Sequence, residues 1–414
     1  MSQTRPMTSE RTETSILHPE TPEDVRDIVA AAVSAEEPLA IEGTGSKRGL
    51  GRPVQAARTL SLSAMSGITL YEPEELVLSA KAGTPIAEIE ALVDAHGQRL
   101  EFEPIDYGPL HGLDPRRGTL GGVIACNLAG PRRLKQGAAR DHILGVKAVS
   151  GRGEIFKSGG RVVKNVTGYD LSKGLTGSYG TLAVMTDITI KVLPKTETET
   201  TLVLRGLTDE EAAGAMAAAM GSSAEVSAAA HLPMYVAGRV AARALGDEPA
   251  TLIRLEGFGP SVAARSDHLG RALERVAKLE RLEGEASRAV WADVRDARPF
   301  ADGTQKPVWR LSTTPTRGHE IVMSLRMEAA IDAFYDWQGG LVWLKMEAGE
   351  PEADLVRAAL RRFGGGHATL VRASESVRAG ADVFQPQEPA LAGLSKRLKA
   401  QFDPKGVLDP GKMG

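Results

Sequence analysis

Cysteine is nearly absent from this chain of 414 residues, since Cys126 is the only one. That excludes an internal disulfide and any self-contained four-thiolate zinc or iron–sulfur centre, and it fits a reducing compartment. An excess of one charge is missing too: 50 Lys and Arg stand against 53 Asp and Glu, for a net charge of −3. The basic footprint of a nucleic-acid binder is therefore excluded. Long apolar runs are lacking, as nothing approaches the ~20 residues that cross a bilayer. The N-terminal stretch has no signal-peptide core, so residues 1–14 read as a polar tail and the protein as cytoplasmic. Peripheral attachment to a membrane through a partner stays open. The histidines (18, 96, 111, 142, 231, 268, 319 and 367) include no pair at the short spacing of a local zinc motif, and no metal site is expected.

What is present is ordinary globular composition, with 42% hydrophobic and 25% charged residues, in a chain long enough for two or three domains. Val25, Ile28, Val29 and Ala32 lie at helical spacing behind acidic first-turn residues, and Pro38 to Glu42 reads as a strand that breaks into a glycine-rich loop at 43–51. Glu75 to Ala80 reads as a strand and Pro85 to His96 as a helix closed by Gly97. Residues 108–180 hold 16 of the 45 glycines, a density that means tight turns or close backbone approach to something. A hairpin is expected around Val149 to Phe156, and a strand pair at 181–193 that Pro194 ends. Lys195 to Thr200 reads as a polar linker and places a domain boundary. Beyond it a capping box at Thr208 to Glu211 opens an Ala-rich helix. Strand patterns follow at Thr251–Phe258, Val308–Thr313, Gly340–Met346 and Thr369–Arg372, with helical patterns at Ser261–Arg281, His319–Met327 and Ala353–Phe363. This alternation predicts an α+β unit with helices on one face of a sheet. A last helix is expected near Pro389–Phe402, and no internal repeat is visible.

The loop at 43–51 fails the dinucleotide fingerprint, because Arg48 stands where the third glycine belongs. Gly406 to Lys412 continues with Met413 where a phosphate loop needs Ser or Thr, and Leu175 to Gly180 lacks a nucleophile elbow. What remains is a pair of small-residue loops, at 43–51 and at Gly118 to Gly130. Two such loops can offer backbone N–H groups to both sides of one pyrophosphate, although each alone also reads as a structural turn.

On these segments the chain resembles the FAD-binding family of vanillyl-alcohol oxidase and p-cresol methylhydroxylase (PCMH). The resemblance runs through Ala80 to Pro85, Gly118 to Gly130, Arg140 to Val146, Asn165 to Leu171 and Leu175 to Leu182, and ends at Phe402 to Lys412. More narrowly, Ala129 to Arg133, Val163 to Ser172, Trp343 to Lys345 and Gly365 to Thr369 look like the smaller FAD-binding subunits of bacterial glycolate oxidases. The resemblance implies a PCMH-type FAD-binding domain of two α/β subdomains over 15–194, an inserted α+β cap over 195–365, and a segment 366–414 returning to the first domain. It implies noncovalent FAD held by Gly43, Thr44, Gly45 and Ser46 on one side and Gly118, Thr119, Gly121 and Gly122 on the other. Asn127, Gly130, Asp141 and Gly180 fall where that family surrounds the flavin and adenosine. Asp141 and His142 also read as a solvated turn, and Cys126 as a buried small hydrophobe.

Oxidation of a 2-hydroxy acid needs a cation for the carboxylate and a base for the hydroxyl proton. His367, Arg310, Lys345 and Arg372 are the candidates, each equally readable as structural. The resemblance implies a glycolate oxidase complex converting glycolate to glyoxylate, with a larger catalytic flavin subunit and an iron–sulfur subunit as partners. The larger subunit's His-rich metal motif is missing here, which keeps two alternatives open: a self-sufficient 2-hydroxy acid dehydrogenase, and a structural flavoprotein.

Overall fold

Residues 15–161 and 169–414 are described in a computed structural model. The polar tail and residues 163–168 of the resemblance lie outside them. Thr21 accepts from the N–H of Asp24, and the Asp24 carboxylate accepts from that of Thr21, so a capping box starts the helix Pro22–Ala35. Val25, Val29 and Ala32 form its buried stripe. The chain then enters Leu39–Glu42, which pairs in parallel with Arg58–Ser61, itself parallel to Ser15–Leu17.

A five-stranded antiparallel sheet follows, in the order Ile68–Glu72, Val77–Lys81, Ala183–Lys191, Ile143–Ser150, Ile155–Gly159. The expected hairpin is its last pair. Residues 181–193 are not a strand pair. They form one nine-residue strand hydrogen-bonded on both sides, buried on both faces over its first four residues and alternating between buried and half-buried positions from Asp187 onward. Pro194 does not end the pairing either, because Leu193–Pro194 lies antiparallel to Gln98–Arg99.

Thr198–Arg205 opens an eight-stranded antiparallel sheet, so the expected linker shrinks to 195–197. Its strand order is Leu279–Glu283, Thr198–Arg205, Ala250–Gly257, Ala228–Leu232, Ile331–Asp336, Leu341–Met346, Val308–Ser312, His367–Arg372. Each half runs strand–helix–strand–strand–helix–strand with its second strand at the centre, so the sheet is two split βαβ units side by side. This is an internal repeat of topology that leaves no trace in the residues. Its seam is the single pair His231 and Tyr335, and the Asp209 carboxylate staples it by accepting from the Tyr335 hydroxyl at 2.6 Å and from Arg326 at 2.7 Å.

Two expectations are corrected in this sheet. The helix expected over 261–281 stops at Leu273, and residues 279–283 are the edge strand. His367–Arg372 pairs with Val308–Ser312, so the sheet runs past residue 365. Alternation along the strands divides the core. Leu202 and Leu204 meet the outer helices, whereas Val203, Leu252, Phe334 and Trp343 join the cluster that includes Phe102, Ile105 and Tyr107 of the N-terminal half. The helix Gly284–Arg295, with Val290 and Trp291, fills that inner face.

Candidate functional site

The parallel strand Leu39–Glu42 ends in a loop whose turn is closed by the Arg48 N–H donating to the Gly45 carbonyl at 3.1 Å, with Gly45 at φ 75°. This loop, the segment Thr119–Gly122, Tyr179–Gly180 and Lys412 line one open cleft. The loops touch because there is no side chain between them: a Cβ on Gly43 would sit 2.4 Å from Thr119 Oγ1. Lys412 arrives from the far end of the chain. Leu408 bridges Leu39, the Leu39 N–H donates to the Val407 carbonyl at 2.8 Å, and the Asp409 carboxylate accepts from the Ile41 N–H.

Among the described residues, no acceptor lies within hydrogen-bond reach of the backbone N–H groups of Thr44, Gly45, Ser46 or Lys47. Lys47 Nζ lies beside Gly118 and Gly122, with no carboxylate within 4 Å among those residues. Burial lowers its pKa, with Cys126 and Asp106 opposing. Unpaired backbone donors and a cation answered by the Ser46 hydroxyl at 3.4 Å rather than by a carboxylate suit a doubly charged anion at the meeting of two glycine loops, and the apolar wall of Leu62, Ala82, Val184 and Met185 suits flat rings. The cleft fits the pyrophosphate and adenosine of FAD.

Gly43, Thr44, Gly45, Ser46, Thr119, Gly121, Gly122 and Gly180 line this cleft together, and Gly118 borders it. Asn127, Gly130 and Asp141 do not. Asn127 accepts from the Arg140 N–H, Gly130 is packed against Glu103 and Arg295, and Asp141 caps its own short helix through the Ala138 N–H at 2.8 Å. Sequence reading passed over Lys47, Tyr179 and Lys412. Cys126 also lines the cleft, with its thiol held protonated by burial. His111, a further omission, has an unpartnered buried Nε2, and burial lowers its pKa to about 4, leaving the imidazole neutral near pH 7.

The four candidate catalytic residues fare unequally. Lys345 is spent on Glu347 at 2.8 Å and Asp302 at 3.0 Å. Arg372 donates to the carbonyls of Phe300, Lys306 and Leu110, pinning the 298–306 segment to the sheet. Neither offers a free cation. His367 is exposed at the start of the edge strand and lies outside the cleft. Arg310 differs: its guanidinium lies 4.8 Å from the centre of the Trp337 ring, its Nε has no partner, and its charge reaches both Tyr107 and Tyr179.

A second set of charges is closed on itself. Arg132 pairs with Glu103 at 2.9 Å and Glu256 at 2.7 Å, and Arg254 with Glu103 at 3.0 Å, all within the interior. Arg99 adds another contact to Glu256 at 2.8 Å. The flanking guanidinium groups hold Glu256 well below the usual carboxylate range against the cost of burial. This network ties residues 99–103 and 132 to the strand Ala250–Gly257.

The cleft and the sheet beside it are those of a flavoprotein with a PCMH-type architecture. Substrate-bound p-cresol methylhydroxylase superposes with a TM-score of 0.71 at 14% identity, over 96% of this chain and 88% of that one. A 4-ethylphenol oxidase from Gulosibacter chungangensis gives 0.70 at 13% identity over the same shares. The FAD binding domain family matches residues 14–159. Glycolate oxidase subunit GlcE of Escherichia coli (strain K12) is 36% identical over 388 residues, 93% of this chain and 95% of that one. A D-lactate dehydrogenase of Archaeoglobus fulgidus is 31% identical over 48% of this chain and 42% of its own. The chain belongs to the family of the glycolate oxidase subunit GlcE, and its cofactor is FAD.

Proposed function

We propose that the chain is the FAD-binding subunit of a glycolate oxidase that converts glycolate to glyoxylate in the cytoplasm, working beside a larger flavin subunit and an iron–sulfur subunit. The observation that carries this reading is the cleft, where four consecutive N–H groups and Lys47 await an anion in a chain 36% identical to a glycolate oxidase subunit. Bound FAD supplies the acceptor for the hydride leaving the carbinol carbon. The chain's own part is to hold the diphosphate on Thr44 to Lys47, to wall the rings from water with Leu62 and Met185, and to keep Cys126 as an unreactive thiol.

The internal pairing of Lys345 and Arg372 and the exposure of His367 favour a second reading, in which the chain relays electrons or serves as a scaffold. Anaerobic absorption spectra decide between them. Flavin bands that glycolate bleaches in the isolated chain support an active site of its own, and bands that bleach only after co-expression with partners support the relay. A chain purified without flavin bands under either condition overturns the proposal.

A further inference from the structure

Arg133 and Arg310 come from opposite halves of the molecule, one from the short helix Arg133–Gln136 after the second glycine loop and one from the strand Val308–Ser312. Both guanidinium groups lie over the ring of Trp337, at 4.7 and 4.8 Å from its centre. They are therefore no further apart than the sum of those distances. Burial lowers the pKa of Arg133 and the like charge of Arg310 lowers it further, with Asp141 opposing. Among the described residues no carboxylate lies within 4 Å of either, and Arg310 Nε is buried without a hydrogen-bond partner. Other half-buried or buried arginines nearby are satisfied: Arg132, Arg254 and Arg295 by carboxylates, Arg372 by carbonyls.

The platform beneath them is fixed. Trp337 Nε1 donates to the Gly130 carbonyl at 3.0 Å, and its N–H donates to Asp336 at 2.7 Å. Trp337, Gln338 and Gly339 all take positive φ, at 50°, 61° and 91°. The two non-glycine residues in that region cost free energy, and the cost buys an indole held at one angle between the two arginines' elements. Stacking on an indole leaves the edge of a guanidinium, with its N–H donors, available in the ring plane. Arg310 also acts electrostatically on Tyr179, a residue of the FAD cleft, while neither arginine nor Trp337 lines that cleft itself.

We infer that Arg133 and Arg310, set on Trp337, form a carboxylate-binding site that takes the acid group of a small 2-hydroxy acid. The inference rests on the proposed oxidase function. It gives this subunit its own substrate contact, which a pure scaffold lacks. Two unpaired guanidinium groups suit a carboxylate with a hydroxyl or a second carboxylate on the adjoining carbon, and disfavour a neutral analogue.

The test uses the flavin-loaded chain and calorimetric titration with oxalate, which resembles glycolate and cannot donate a hydride, with glycolamide as the neutral control. Oxalate is expected to bind, and Arg133→Met and Arg310→Met are each expected to weaken it tenfold or more with flavin content unchanged. Arg310→Lys, which keeps the charge and guards against misfolding, is expected to lose less than Arg310→Met. No oxalate binding by the parent chain overturns the inference, as does binding that neither Met variant weakens, glycolamide binding as tightly as oxalate, or inorganic phosphate binding as tightly as oxalate. Flavin content, read separately by absorbance, keeps a failure here apart from a failure of the FAD assignment.

Discussion

Arg132 and Arg133 are neighbours in sequence and opposites in surroundings. Arg132 is buried and fully paired with Glu103 and Glu256, while Arg133 rests on Trp337 with no carboxylate in reach among the described residues. The first belongs to a network that closes the interface between the FAD-binding half and the eight-stranded sheet, and its charges are answered internally. The second belongs to a pair left unanswered at the same interface. Saturated buried charge marks architecture here, and unsatisfied charge marks a place for a ligand.

The largest effect expected from breaking this contrast comes from Arg132→Met. It leaves the buried carboxylates of Glu103 and Glu256 one cation short, with only Arg254 and Arg99 to answer them, and should cost about 3–5 kcal/mol in urea unfolding, whereas Arg133→Met should cost less than about 1 kcal/mol. Equal losses would erase the distinction.

Asp336 lies between the two sets, and burial and Glu103 push its carboxyl up from an ordinary 3.8 to about 7, with Arg310 and Arg254 opposing. Across roughly pH 4 to 7 the native protein thus holds a proton that the unfolded chain has released. Stability falls as pH rises through that window, by about 2–4 kcal/mol at most. Asp336→Asn keeps an acceptor for the Trp337 N–H and should remove that slope, so its gain in melting temperature over the parent should be larger at pH 8.5 than at pH 5.5. An identical gain at both values would sink the assignment.

Glycines 121 and 122 sharpen the line between scaffold and cradle. A Cβ on Gly121 meets Ala82 Cβ and its carbonyl at 2.9 Å, so Gly121→Ala should destabilise the fold by about 1–3 kcal/mol even without cofactor. On Gly122 the nearest atoms are Thr119 Oγ1 at 3.4 Å and Lys47 Nζ at 3.5 Å, both on side chains. Gly122→Val should therefore act mainly on FAD retention, read as the ratio of flavin to protein absorbance. Smallest in free energy, Lys47→Met should weaken FAD about tenfold while leaving the apoprotein as stable or slightly more so, because it removes a half-buried cation that no carboxylate among the described residues answers.

Much of the fold was legible because its signals are local. The capping box at Thr208, the stripe of Val25, Val29 and Ala32, and the hairpin after Val149 are each decided within a few residues. Ala228–Leu232 was illegible, since Ala-Ala-Ala-His-Leu has no strand preference and is extended only because neighbours on both sides and both faces hold it there. Helix Gly284–Arg295 was also missed, although Ser287, Val290, Trp291 and Val294 give it a readable helical stripe, as was strand Ile331–Asp336. The glycine loops of the cleft were readable, since close backbone approach leaves its mark in composition. Lys47, Arg133 and Arg310 were not separable from the other Lys and Arg, because being unpaired is a property of the tertiary surroundings. Strand position alone ranked Lys345 and Arg372 beside Arg310, and only their partners tell them apart.

The bridge between Leu39 and Leu408 joins residues from the two ends of the described chain. Such a contact closes a very long loop, and its entropic cost is met only after the intervening sheet has docked. Assembly of the cradle therefore comes late in folding. A fragment confined to residues 14–159, the span matched by the FAD binding domain family, holds both glycine loops yet lacks Tyr179, Gly180 and Lys412. Cofactor capture then reports that the whole chain has found its topology, and flavin colour in a cell extract becomes a gauge of completed folding.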